Sequence, residues 1–183
     1  MWLNSFKLLS QYQTKFKLEL DNHVLFCGPP GSGKSFIIDK FCENEASYFV
    51  KANFESQIYV GSNIEKQQKV YQGAKKLATF NAQRGETKPV VIVIEEIDAV
   101  GVKVLSDHDT SSKSGVDALL KMFDNIHEEN LNIIVVATTN NPEVLNDALV
   151  RPGRLGRRIQ VNYPTDEELK KLADYLQKVM EKG

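Results

Sequence analysis

The sequence predicts an α/β fold, a three-layer sandwich built on a mostly parallel, five-stranded sheet. Three observations predict it. Short apolar runs of β-forming residues alternate along the chain with stretches of helical periodicity. Two of those runs, 90–94 and 133–136, hold no polar residue, as strands covered on both faces do. The residues that carry chemistry fall just after such runs, at the carboxyl ends of the strands, where folds of this class place their sites.

The elements follow in order. Residues 2–17 carry Leu3, Phe6, Leu8, Leu9, Tyr12 and Phe16 at loosely helical spacing and predict a lead-in helix. Val24-Leu25-Phe26-Cys27 is a short strand ending at glycine. Phe36, Ile37, Ile38, Phe41 and Cys42 mark the helix that follows, and Tyr48-Phe49-Val50 a second strand. A helix is expected over 63–83, with Val70, Tyr71, Ala74, Leu77 and Ala78 on one side and Gly85 and Pro89 beyond its end. The third strand is 90–94. A polar loop from about Gly101 to Ser114 leads to a helix marked by Val116, Leu119, Leu120 and Phe123. Residues 133–136 give the fourth strand, about 143–149 a short helix, and 158–161 the last strand. Strands alternating with helices imply right-handed crossovers between parallel neighbours.

Composition narrows the class. With 42% hydrophobic residues in 183, the chain has enough apolar material for one sizeable core, which argues against disorder. The formal net charge of −1 gives no global attraction to nucleic acid or an acidic membrane. Cys27 and Cys42 are too few for a disulfide scaffold and read as reduced core thiols in the cytoplasm. The start of the chain lacks a signal peptide's sustained apolar stretch, and the strongest apolar run is too short to span a bilayer.

Gly28-Pro29-Pro30-Gly31-Ser32-Gly33-Lys34-Ser35 matches the phosphate-binding pattern G-x-x-x-x-G-K-[ST], placed between a strand and a helix as that pattern requires. Glycines let the backbone turn its N–H groups inward around phosphate oxygens. The helix that starts here directs its positive end at the same anion. Lys34 can reach the β- and γ-phosphates of ATP, and Ser35 can ligate Mg²⁺. With Phe36, the first residue beyond the loop, these eight form the expected nucleotide-binding set. The third strand runs into Glu95-Glu96-Ile97-Asp98. A phosphohydrolase of this type needs one carboxylate toward Mg²⁺ and one base or water-orienting group. By position Glu95 takes the first role and Glu96 the second.

At this point the chain resembles the AAA family of ATPases, within the larger AAA+ group, over roughly residues 20–165. The most specific block is Val135-Val136-Ala137-Thr138-Thr139-Asn140-Asn141-Pro142, followed by Leu149-Val150-Arg151-Pro152-Gly153-Arg154. The resemblance implies that Asn140 helps orient the attacking water. It also implies that Arg151 and Arg154 act in trans, on a nucleotide held by a neighbouring subunit of a hexamer-like ring. An arginine so placed stabilises charge on the transferring phosphoryl group. The lesser alternative is that Arg154, Arg157 and Arg158 are surface charge or a contact to a phosphate backbone. Ile58-Tyr59-Val60-Gly61 resembles the family's first pore loop, which grips an extended polypeptide, with Tyr59, Val60 and Gly61 as its core residues. The alternative is that Tyr59 and Val60 belong to the hydrophobic core. Asp107-His108-Asp109 looks metal-like, but no further ligand is evident and a solvated loop is the favoured reading.

The chain departs from the family pattern in three places. Glu95 stands where the family usually has aspartate, one methylene shorter. Leu155-Gly156 replaces an aromatic–acid pair. Where the family continues into a small helical lid, only one amphipathic helix follows, capped by Thr165-Asp166-Glu167-Glu168 and striped by Leu169, Leu172, Ala173, Leu176, Val179 and Met180. The expected organisation is a lead-in segment over 1–19, the large α/β unit over 20–164 and the C-terminal helix over 165–183. The function this implies is Mg²⁺-dependent ATP hydrolysis by a ring-forming homo-oligomer acting on protein substrates. The alternatives are a nucleic-acid-linked ATPase such as a helicase loader, or a nucleotide-binding interaction module with little turnover.

Overall fold

A computed structural model describes residues 23–53, 60–102 and 110–180. The expected lead-in helix, Tyr59 of the pore-loop-like segment and Asp107-His108-Asp109 lie outside these residues. The sheet holds β1 (Val24–Cys27), β2 (Tyr48–Asn53), β3 (Val90–Glu95), β4 (Ile133–Thr139) and β5 (Arg157–Gln160). Their order is β2-β3-β4-β1-β5, and every pairing is parallel. Because β1, β3 and β4 have neighbours on both sides and helices on both faces, their apolar residues are buried throughout.

The helices are α1 (Lys34–Glu45), α2 (Val60–Gln83), α3 (Thr110–Glu128) and α4 (Asp166–Met180). On one face α1 places Ile38, Phe41 and Cys42 against Val24, Phe26, Val91, Val93, Ile134 and Val136. On the other, Tyr71, Ala74 and Ala78 of α2 and Val116, Leu119 and Phe123 of α3 cover Leu25, Ile92, Ile94 and Val135. This is the expected three-layer arrangement. Cys27 and Cys42 are both free and buried, as read from the sequence. The capping box forms: the Thr165 N–H donates to Glu168 Oε2 at 2.8 Å, and the Glu168 N–H to Thr165 Oγ1 at 3.4 Å.

Several boundaries differ from expectation. The helix expected over 143–149 is a single 3₁₀ turn, Pro142–Val144. Leu145 leaves it to bridge Val102, the Asn146 N–H donates to Gly101 O, and Asn146 Oδ1 accepts from the Ala148 N–H. These local bonds compete with a helical ladder and win. The polar stretch ending at Ser114 is shorter than expected, because α3 already begins at Thr110. β2 extends to Asn53, and α2 starts at Val60, so Val60 and Gly61 open a helix instead of lying in a loop.

Gly28 is required by a close approach. A Cβ built there would lie 1.9 Å from the Val161 carbonyl oxygen, because the chain leaving β5 bonds back through the Val161 N–H to Cys27 O at 2.7 Å. Gly28→Ala is expected to cost at least about 3 kcal/mol of stability through that overlap. At Gly33 (φ 92°) nothing lies near a Cβ, so Gly33→Ala should cost only the left-handed backbone penalty, about 1–2 kcal/mol. Urea unfolding of the two variants checks the order.

His23 adds a pH dependence. It is buried, accepts the Val135 N–H on Nδ1 at 2.9 Å and tilts against the Phe123 ring. Burial, and secondarily the nearby His127, lowers its pKa from 6.5 to about 4. The unfolded chain therefore takes up this proton near pH 6.5 and the folded one only near pH 4. The contribution is full above pH 6.5 and is lost as pH falls toward 4, by about 3 kcal/mol at most. In His23→Asn, whose amide oxygen can still accept the bond, the fall in unfolding free energy between pH 7 and pH 5 should shrink clearly.

Candidate functional site

The site lies along the carboxyl edge of the sheet. The strand order puts β4 between β3 and β1. The ends of β3 and β1 are therefore two strand spacings apart, about 10 Å. The loop 28–35 leaves β1, Glu95 and Glu96 leave β3, and Asn140 follows β4 between them.

The loop has the shape to receive an anion. Gly31 (φ 75°) and Gly33 (φ 92°) take left-handed conformations. Gly33 caps α1 without a side-chain bond. By helix geometry the N–H groups of Lys34, Ser35 and Phe36 then have no intrahelical acceptor. Ser32 Oγ is buried with no hydrogen-bond partner. An orphaned hydroxyl beside unsatisfied amides suits phosphate oxygens, so these residues fit a nucleoside triphosphate. The Phe36 side chain is 67% exposed, so its part in the set rests on its backbone.

Lys34 is buried, and its ammonium donates to Gly28 O at 2.7 Å, Pro29 O at 2.8 Å and Asn140 Oδ1 at 2.9 Å. The last contact ties together two motifs 106 residues apart. Glu95 ends β3 partly exposed. Glu96 is exposed and takes a left-handed φ of 51°, uncommon for a residue with a Cβ. Its N–H donates to Thr138 Oγ1 at 3.0 Å, which pins the turn. Ser35 and Glu95 offer a hydroxyl and a carboxylate, hard oxygen donors that fit Mg²⁺ shared with phosphates. Among the described residues no group of three or more His, Cys, Asp or Glu is placed to hold a metal.

The two arginines differ. Arg151 is exposed. Arg154 is engaged within its own chain: Nη2 and Nε donate to Asp124 Oδ1 at 2.8 and 3.2 Å, and Nη1 to Ala148 O at 2.9 Å. Sequence reasoning missed Thr138, although a hydroxyl ending an otherwise apolar strand was a visible signal. It also missed Tyr163, whose hydroxyl donates to Pro30 O at 2.8 Å, and Lys51, 3.9 Å from Glu95. Nothing in the local pattern announced the last two.

A glycine-rich loop at a helix N-terminus, a lysine reaching across to the next strand end and paired acids beyond it define a P-loop nucleoside-triphosphatase domain. The family described as "ATPase family associated with various cellular activities (AAA)" matches residues 24–163, and the chain belongs to that family of ATPases. It is 32% identical over 152 residues to the ATP-dependent zinc metalloprotease FtsH 2 of Thermoanaerobacter sp. (strain X514), covering 82% of this chain and 28% of that protein. It is 31% identical to the mitochondrial inner membrane i-AAA protease supercomplex subunit YME1 of Saccharomyces cerevisiae, covering 90% and 20%. Against the proteasome-activating nucleotidase of Methanothermobacter thermautotrophicus the identity is 31%, covering 84% and 36%. The chain thus spans about a fifth to a third of the length of these curated relatives. Among the described residues no helix is long and apolar enough to cross a membrane.

Proposed function

We propose that this chain binds ATP with magnesium and hydrolyses it as one unit of a homo-oligomeric ring that remodels or translocates protein substrates. The observation that carries the ATP chemistry is the Lys34–Asn140 bond, which brings the phosphate loop and the end of β4 to one place beside Glu95 and Glu96. Lys34 and the loop amides hold the β- and γ-phosphates. Asn140 and Glu96 orient the attacking water, and Glu96 accepts its proton. Ser35 and Glu95 hold magnesium, which when bound neutralises charge on the phosphate oxygens. The Thr138 bond to the Glu96 N–H fixes the turn that presents its carboxylate.

The protein substrate is supported by relatives whose names are those of proteases and a proteasome-activating nucleotidase. Tyr59, Val60 and Gly61 are the residues proposed to grip it. In the ring, Arg151 and Arg154 complete a neighbour's site, and Arg154 exchanges its Asp124 partner for phosphate oxygens when it does so. The near-neutral charge disfavours nucleic acid as the substrate. The two buried thiols suit the reducing cytoplasm.

Hydrolysis that needs a neighbour's arginine rises more steeply than linearly with protein concentration. A trans arginine contributes on the order of 10³–10⁵ in turnover. Specific ATPase activity measured beside mass in solution, with ATP and Mg²⁺, should climb as oligomer forms. Constant specific activity in a chain that stays monomeric removes the ring.

A further inference from the structure

We propose that Lys51 is a positioning residue that holds Glu95 as its counter-ion and so sets how much magnesium the site requires. The proposal rests on the reading of Glu95 as the carboxylate that faces magnesium. Three residues from three elements form a chain of charge on the α1 side of the sheet. Lys51 Nζ lies 2.6 Å from Asp39 Oδ1 on α1 and 3.9 Å from Glu95 Oε1 at the end of β3.

The register explains why they meet. Lys51 pairs with Val93 and Asn53 with Glu95, so Lys51 and Glu95 alternate onto the face that carries Val91 and Val93 toward α1. Asp39 stands one helical turn after Ser35, on the same side of α1. The charge chain therefore runs directly behind the two residues proposed to hold the metal. The contact with Asp39 anchors the ammonium, which is left close enough to attract Glu95 without a full hydrogen bond.

Glu95 has one more rotatable bond than the aspartate of the family pattern. Lys51 stands 3.9 Å from its Oε1. It also competes with a divalent cation for the same oxygen. Removing the ammonium leaves Asp39, Glu95 and Glu96 with no nearby cation from β2, so magnesium should bind at lower concentration.

The test is a magnesium chloride titration of ADP binding to the 183-residue chain, followed by calorimetry, with a thermal melt of each variant. Lys51→Met should lower the magnesium midpoint by about three- to tenfold, as loss of one partly screened positive charge near a divalent ion predicts. Lys51→Arg should stay near wild type. Asp39→Asn releases the ammonium toward Glu95 and should raise the midpoint; the lowered midpoint of Lys51→Met is the change that simple damage to the fold does not produce. In a Glu95→Gln background the Lys51→Met shift should fall below about twofold, since its target is gone. An unchanged or raised midpoint in Lys51→Met, or an equal shift without Glu95, overturns the proposal. If Glu95→Gln alone leaves the midpoint unmoved, the fault lies in the assignment of Glu95 to the metal, and the proposal falls with it.

Discussion

Lys34→Ala is expected to weaken ATP binding by at least about a hundredfold, through the loss of charge-assisted bonds worth about 1.5–3 kcal/mol each. The structure explains why no neighbour can substitute. The ammonium is buried and held by two loop carbonyls and Asn140 Oδ1, so it is already at the rim of the phosphate loop, with its position set by three acceptors. Those acceptors are neutral, and a phosphate oxygen carries a full share of negative charge. The ammonium gains by turning to the phosphates. An alanine leaves the amides of Lys34, Ser35 and Phe36 to face the triphosphate without a cation. Lys34→Arg should not rescue, because a planar guanidinium does not fit a site shaped for a compact ammonium. Calorimetry with ATP and Mg²⁺ reads the effect directly, and unchanged affinity would remove Lys34 from the phosphate site.

Glu96→Gln should leave ATP affinity within a few-fold of wild type and lower turnover by about 10²–10⁴. Glutamine matches glutamate in size, and the turn that carries residue 96 is held through its backbone, by the N–H bond to Thr138 Oγ1. The substitution therefore removes the proposed proton acceptor and little else. Glu95→Gln should act differently, on the magnesium requirement. Steady-state ATPase rates beside calorimetric affinities separate the two acids. Wild-type turnover in Glu96→Gln would show that the base lies elsewhere.

Much of this molecule could be read from its residues. The loop 28–35 is local in sequence, and its chemistry depends on residue types at fixed spacing, so it was visible before any fold. Val90–Ile94 and Ile133–Val136 announced buried strands because burial on both faces leaves no polar position. The face of α2 formed by Tyr71, Ala74 and Ala78 was legible by its period. Boundaries were harder. The first turns of α3, from Thr110, are polar and carry no apolar period to read. The turn at 142–150 looked helical because its leucines are spaced like a helix, yet Leu145 and Leu149 reach the core from a chain bent by the Asn146 bonds.

By itself the sequence determined the class of fold, the glycine-rich loop after the first strand and the acids that follow the third strand. Each depends on neighbours in the chain, through backbone geometry and burial pattern. Tertiary structure alone decided which of these groups meet. Lys34 finds Asn140, Glu96 finds Thr138, Lys51 stands between Asp39 and Glu95, and Arg154 turns to Asp124. The first three pairings follow from the order β2-β3-β4-β1-β5 and its register. Parallel strands joined by helical crossovers can be ordered in several ways with the same apolar pattern, so periodicity carries no record of which strand ends lie side by side.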